Sequence, residues 1–218
     1  MDALQGAIDV DTNIFFSINR MHNMYFDYFM SAYSGKWVWI PMYAAIWYVM
    51  LRNFHWKVTL FCMIGLALTI TFADQACATW IRPYVERMRP SNLNNPISEM
   101  VHIVNNHRGG RYGFPSCHAA NTFGLAFFLF FLFRKRWLTL FIMAWALLTC
   151  VYLGVHYPGD LLAGTIVGLI GAWLIYRLFV KVSGYKRVEH VTHVYAPIWV
   201  GLLTIAGMLV YAGIRILL

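Results

Sequence analysis

Three short stretches of this chain concentrate side chains able to do chemistry. The first is Arg82-Pro83-Tyr84-Val85-Glu86-Arg87-Met88-Arg89-Pro90. The seven-residue gap between Arg82 and Arg89 is nearly two helical turns, which predicts two guanidinium groups on one helix face, with Pro90 stopping the helix. Two such planar forks suit a phosphate. The second stretch is Phe114-Pro115-Ser116-Cys117-His118, at the predicted start of an apolar helix. A helix N-terminus offers free N–H groups and a positive dipole end to an anion, and Ser116 adds a hydroxyl donor. The third is Tyr152-Leu153-Gly154-Val155-His156-Tyr157-Pro158-Gly159-Asp160. His156 and Asp160 lie four apart across a turn, and a carboxylate beside an imidazole fixes its tautomer and raises its basicity. Together these parts suit the binding of a phosphate or similar anion beside an imidazole of raised basicity.

The elements that must position these residues are set by composition. Of the 218 residues, 60% are hydrophobic and 12% charged, with a mean hydropathy of +0.57. A soluble domain carries roughly twice that charge. A water-soluble globular enzyme, a disordered chain and a disulfide-stapled secreted module are excluded, which leaves an integral membrane protein. The net charge of +8 would suggest nucleic acid on a soluble protein. Here the basic residues sit between apolar runs, so anionic lipid and membrane orientation explain them, and no nucleic-acid partner is expected. Cys62, Cys77, Cys117 and Cys150 show neither a CxxC pair nor zinc spacing, so no metal site is expected. The N-terminal residues lack a basic n-region and a continuous apolar core, so insertion is expected through the chain's own spans.

A spanning helix needs roughly 20 mainly apolar residues. Six candidates follow, at about 37–52, 57–80, 118–133, 137–155, 160–180 and 194–217. Residues 1–33 mix apolar side chains with Asp9, Asp11, Asn13 and Arg20, which predicts a segment lying in the interface. The expected architecture is therefore all-α: one membrane domain over 1–218, a six-helix bundle with an interfacial N-terminal helix. The polar segment 81–117, with five arginines, cannot lie in lipid. The turns 52–57, 134–136 and 177–187 hold nine basic residues, Arg187 among them. If all six spans are real, these turns share the cytoplasmic side. The 81–117 loop and the 156–160 turn then meet on the opposite face. Arginines on that face break the simple charge rule, and anion binding is the reason they would be there.

At this point the chain resembles a known family. RPYVERMRP, then PSCH, then VYLGVHYPGD look like the three signature blocks of the type 2 phosphatidic acid phosphatases, whose pattern runs K-x6-RP, PSGH or a close variant, and SR-x5-H-x3-D. The resemblance covers about residues 82–160, with matching spacing inside each block. It implies that His156 is a nucleophile forming a phosphohistidine, that Asp160 orients it, and that His118 protonates the leaving oxygen. It also implies that Arg82, Arg89, Ser116 and the Cys117 backbone bind phosphate. Arg82 replaces the usual lysine and Cys117 a usual glycine. The serious departure is Cys150, which stands where the family has an arginine. Losing that guanidinium would impair catalysis by several kcal/mol, by analogy with the few kcal/mol of a single oxyanion donor. Three explanations stand open: Cys150 is a deliberate change from arginine, or Arg87, Arg108 or Arg111 fills the gap, or the chain is a weak or inactive member.

Taken singly, each residue has a plainer role. Arg82 and Arg89 suit snorkelling membrane flanks, His118 an interfacial histidine, and Arg108 and Arg111 either headgroup contacts or a solvated loop. Asp74, inside a span, suits a hydrogen bond between helices. The joint order and spacing carry the chemical reading. The resemblance implies a cofactor-free, metal-independent membrane phosphatase acting on a lipid phosphate or diphosphate. Undecaprenyl diphosphate, phosphatidylglycerol phosphate, phosphatidic acid and lipid A phosphate all fall within that breadth. The site would face the periplasm or exterior of a bacterial inner membrane, with the lipid bilayer and its substrate as partners. A lipid phosphotransferase and a non-catalytic lipid-phosphate binder stay open as alternatives.

Overall fold

A computed structural model describes residues 2–144, 146–186, 188 and 190–218. Arg187, one of the predicted basic-patch residues, lies outside them. Among the described residues the regular structure is all helical, with no strand and one isolated bridge, Met88 to Tyr112. The chain runs α1 (Asp2–Asn19), α2 (Met24–Tyr33), α3 (Ile40–Asn53), α4 (Trp56–Gln75), α5 (Arg82–Val85), α6 (Cys117–Phe133), α7 (Arg136–Met143), α8 (Ala146–Tyr152), α9 (Pro158–Ser183) and α10 (Ala196–Leu217). A π-helical turn, Ala76–Ile81, joins α4 to α5 in one rod, Trp56–Val85.

Local sequence explains where these helices start and stop. Ser116 caps α6, its hydroxyl accepting from Ala119 N at 3.3 Å. Arg134, in the left-handed region at φ 54, ends that helix. Pro158 opens α9, and the Asp160 carboxylate accepts the Tyr157 N–H at 3.1 Å, one half of a capping box. Gly184 at φ 62 closes it.

Among the described residues, three helices are long and apolar enough to cross a membrane: Trp56–Val85, Pro158–Ser183 and Ala196–Leu217. They overlap the predicted spans at 57–80, 160–180 and 194–217. The predicted span at 37–52 opens with a 3-10 turn, Trp37–Trp39, before the shorter α3. The span at 118–133 coincides with α6, which is 17 residues. The one at 137–155 is divided between α7 and α8. Of the predicted 1–33 segment, residues 2–33 hold two helices, separated at Asn23, whose side-chain oxygen caps α2 by accepting from Phe26 N at 2.9 Å. Phe15 and Asn19 of α1 are fully buried, while Leu4, Ile8, Val10 and Ile14 stay exposed.

Helices α4, α6 and α9 pack through small residues. A Cβ on Gly164 would collide with Ser116 O, and one on Gly168 with Ala120 O, so α6 and α9 run backbone to backbone. Close approach of this kind is how small residues bind helices where lipid offers no hydrophobic drive. Aromatic rings fill the facing gaps: Phe128 against Gly65 and Phe72 against Gly171. Asn121 on α6 donates to Asp74 on α4 at 3.4 Å, the interhelical hydrogen bond expected of Asp74.

The three basic turns meet at one end of the bundle. Phe54 stacks on Phe133 at 5.9 Å, Tyr185 sits edge-on to Phe54 at 5.6 Å, and Tyr185 donates to Leu132 O at 3.0 Å. The titratable loop residues and the N-termini of α6 and α9 gather at the other end.

Because the α6–α9 seam leaves no room for a side chain, Gly168→Val should destabilise the protein by about 1–3 kcal/mol. Its thermal unfolding midpoint in detergent is expected to fall. Gly207→Ala, where a methyl meets nothing within 4 Å, should leave the midpoint unchanged or slightly raised.

Candidate active site

The site is built on two backbone ties. Gly113 N donates to Arg87 O at 2.9 Å and Arg89 N to Arg111 O at 3.2 Å, pairing the two halves of the long loop. Ser116 N donates to Asp160 O at 2.9 Å, locking the start of α6 to the start of α9. The helix expected to align Arg82 with Arg89 does not extend that far. It ends at Val85, because Glu86 turns into the left-handed region at φ 49. The two guanidinium groups converge through this chain reversal instead.

Asp160 is fully buried and uses both carboxylate oxygens. Its Oδ2 lies 3.3 Å from His156 Nδ1 and accepts Tyr157 N at 3.1 Å; its Oδ1 accepts Arg87 Nη1 at 3.0 Å. On the other face of the imidazole, Arg89 Nη1 lies 2.9 Å from His156 Nε2 and also donates to Val155 O at 2.9 Å. A guanidinium has donors only. Nε2 is therefore assigned as the acceptor, and the ring proton is placed on Nδ1 facing Asp160. Burial pushes His156 down to about 4; the hydrogen bond to Asp160 works against that fall, while Arg89 and Arg82 add to it. Burial, with the neighbouring Arg82 charge, likewise lowers Arg89 from its usual value.

Arg82 reaches across from α5. Its Nη2 donates to Pro115 O at 2.9 Å and to Cys117 Sγ at 3.0 Å. The Nε atoms of Arg82 and Arg89 are buried and have no hydrogen-bond partner among the described residues. Buried unsatisfied donors are costly, and an oxyanion is the ligand that would satisfy both. Gly113 lets the loop approach the dyad. A Cβ there would lie 2.9 Å from Asp160 Oδ2, 3.1 Å from Arg89 Cγ and 3.4 Å from His156 Nδ1.

The other candidate residues are placed as follows. Cys150 is buried, within hydrogen-bonding reach of Ser116 and in the field of Arg89 and Asp160. His118 sits in the first turn of α6, exposed, and its ring makes no hydrogen bond among the described residues. Arg87 is held between Asp160 and Asp11, the latter at 2.6 Å, over the Tyr157 ring at 4.0 Å. Arg108 donates to Ser91 O at 2.9 Å, and Arg111 lies over the Tyr112 ring at 5.1 Å. These latter two brace the loop and make no contact with His156 or Asp160. None of the three puts its guanidinium beside Cys150. The sequence reading missed Asp11, Gly113 and Asn95, the last of which donates to Arg89 O at 3.0 Å and Tyr157 Oη at 3.1 Å. An acidic residue in an N-terminal helix was visible, but no spacing tied it to Arg87.

The sequence that builds this arrangement matches a known family. The model of the PAP2 superfamily covers residues 59–183, more than half of the chain. The chain belongs to the PAP2 superfamily. It is thus an integral membrane protein of a lipid-phosphatase family, as the apolar helices and the relatives agree. A lipid A 4'-phosphatase of Bacteroides thetaiotaomicron is 52% identical over 95% of this chain and 97% of its own length. A lipid A 4'-phosphatase of Porphyromonas gingivalis is 30% identical over 81% of this chain and 75% of its own. An undecaprenyl-diphosphatase of Sulfolobus acidocaldarius is 29% identical over 67% of this chain and 64% of its own. No solved structure matches the chain. The PAP2 match holds Arg82, Arg89, Ser116, Cys117, His118, Cys150, His156 and Asp160, and leaves α1 outside.

In a PAP2 protein built this way, Gly113→Ala should push the loop off the His156–Asp160 pair. Release of inorganic phosphate from a short-chain lipid phosphate is expected to fall about tenfold or more, a barrier change of at least about 1.4 kcal/mol. Gly110→Ala, where a methyl meets nothing within 4 Å, should leave the rate unchanged.

Proposed function

We propose that this chain is a metal-independent phosphatase of the bacterial inner membrane that removes a phosphate from a lipid A-type headgroup through a phosphohistidine on His156. The observation that carries the reading is the buried His156–Asp160 pair. Around it stand two arginines whose Nε donors await an acceptor. The lipid A 4'-phosphatase that matches nearly end to end favours lipid A phosphate over the other family substrates.

In the proposed reaction the phosphoryl oxygens take the free donors of Arg82 and Arg89 and the N–H groups at the start of α6, including that of Cys117. Arg89 shifts its Nη1 donor from His156 Nε2 to a phosphoryl oxygen, which frees the Nε2 lone pair. Nε2 attacks phosphorus while the phosphorus–oxygen ester bond breaks, and His118 gives its proton to the departing oxygen. The imidazole, now bonded to phosphorus, keeps its Nδ1 proton against the ionised Asp160. Water, deprotonated by His118, then attacks phosphorus. The phosphorus–nitrogen bond breaks, inorganic phosphate leaves and Nε2 regains its lone pair.

We place the whole chain in one membrane domain of six spans, with α1 at the interface. The gathered basic turns face the cytoplasm. The 81–117 loop and the 156–160 turn face the periplasm, and the acyl chains stay in the bilayer. Cys150 favours one second reading, a non-catalytic binder, because Arg87 and Arg108 are engaged with Asp160 and Ser91 O and do not take the place of the family arginine.

Phosphate release from a lipid A-type substrate, measured in detergent with a chelator present, tests this reading. The chain should turn over, and His156→Ala should lower kcat by about 1,000-fold. A protonated His156 has no lone pair to attack with. Since its value is held near 4, activity should persist through mildly acidic pH and fall only as pH drops through about 4. An ordinary histidine would lose it near 6.5. Turnover by Cys150→Arg alone would mark this chain as a disabled form, and unaltered headgroup binding without turnover would favour the binder.

A further inference from the structure

We infer that Asp11 of α1 is a positioning residue of the His156–Asp160 pair, holding Arg87 so that its charge is shared between two carboxylates. The inference rests on the reading of His156 and Asp160 as the reacting dyad, and adds to it a residue outside the family match.

Arg87 Nη2 lies 2.6 Å from Asp11 Oδ2, and Nη1 lies 3.0 Å from Asp160 Oδ1. The other Asp11 oxygen, Oδ1, accepts the Gly159 N–H at 2.7 Å. Asp11 therefore grips both the arginine and the backbone next to Asp160. The rest of α1 holds the same segment. Phe15, fully buried, packs its ring 5.4 Å from that of Tyr157. Asn19 donates to Tyr152 O at 2.9 Å. One helix thus brackets the turn that carries His156, at Tyr152 and at Gly159.

The electrostatic consequence follows from what faces what. His156 faces Arg89, Arg82 and Asp160. Asp160 faces His156, Arg87, Arg89, the Cys150 thiol and Tyr157. Arg87 faces Asp11, Asp160 and the Tyr157 ring. Three cations therefore surround the His156–Asp160 pair, two of them facing the fully buried carboxylate, and Asp11 is the second anion of the group. A guanidinium deprived of Asp11 would engage Asp160 bidentately, the geometry arginine and carboxylate prefer. Asp160 Oδ2 would then be drawn from Nδ1 of His156. The imidazole would lose the acceptor that stabilises its charged, phosphorylated form, and would become less basic.

Asp11→Asn isolates this effect, because the amide oxygen still accepts from Gly159 N–H while the charge is gone. The test measures kcat and KM against pH for phosphate release by the full chain in detergent, alongside the thermal midpoint. Asp11→Asn should lower kcat about tenfold with KM within about threefold, and move the acidic limb of kcat/KM to lower pH. Arg87→Gln should move that limb to higher pH, since it removes a cation from Asp160. Asp11→Glu should restore most of kcat. Asp11→Asn added to Arg87→Gln should cost little more than Arg87→Gln alone, as expected of residues acting through one another.

A profile for Asp11→Asn superimposable on the native one overturns the inference. So does a loss of kcat that tracks the thermal midpoint with no displacement of the acidic limb, which would make Asp11 a merely structural anchor. His156→Ala separates the two levels. If it is inactive while Asp11→Asn behaves as native, only this inference fails; if it is active, the dyad reading itself fails.

Discussion

A carboxylate with no exposure to solvent dictates the form of this molecule's polar end. Asp160 carries its charge inside the protein, and a buried charge persists only where it is paired and hydrogen-bonded. Every neighbour reflects that demand. The Tyr157 N–H, the His156 ring and the Arg87 guanidinium supply its partners, and its own backbone oxygen takes the Ser116 N–H. Those partners come from the 156–160 turn, the long loop and, through the backbone oxygen, the start of α6, so one residue draws three chain segments together. Without it, Arg87 and Arg89 would be left as cations at a half-buried site, with Asp11 paired to Arg87 alone among the described residues.

Helix packing converts that local demand into a rigid geometry. Gly164 lies directly under Ser116 O, and Gly168 under Ala120 O. The backbones of α6 and α9 cannot separate or slide without breaking the closest seam in the bundle. Their N-termini therefore stay in register, and with them the tie from Ser116 N to Asp160 O. The glycines that serve packing in the apolar region also set the distance between a helix N-terminus suited to anions and the imidazole beside it. Fold stability and site geometry share the same atoms here, so a change at the seam is felt at the dyad.

What was legible in the sequence divides along physical lines. Short-range patterns read well. The His156-x3-Asp160 spacing predicted a contact across a turn, and the structure has one at 3.3 Å. The apolar runs at 57–80, 160–180 and 194–217 appear as long helices. Inference from helical periodicity failed for Arg82 and Arg89, because Glu86 takes a left-handed conformation that no propensity in RPYVERMRP announces. Long-range pairing was invisible. Arg87 was a candidate headgroup contact, but nothing in the spacing linked it to Asp11, which only the docking of α1 brings within reach. Arg108 and Arg111 look like site arginines by composition, yet the loop's own backbone and a tyrosine ring occupy them.

The cysteine at position 150 acquires a physical meaning from these neighbours. It lies beside Ser116 and within the field of Arg89 and Asp160, so an arginine there would be a further cation around the dyad. Such a cation would strengthen the hold on a phosphate, as one more charge-assisted donor does. It would also depress the basicity of His156, already lowered by burial, Arg89 and Arg82, and compete for Asp160 with the Nδ1 proton. With a neutral thiol in that place, phosphate binding on the proposed reading falls to Arg82, Arg89 and the start of α6, while the imidazole keeps more of its electron density for attack. On that reading a thiol in place of the family arginine would lower affinity for the anion and ease the load on the nucleophile at once. Its net effect on rate depends on whether binding or attack limits turnover. That is why the position cannot be read as a simple loss, even though it removes a charged group from a site that handles charged substrates.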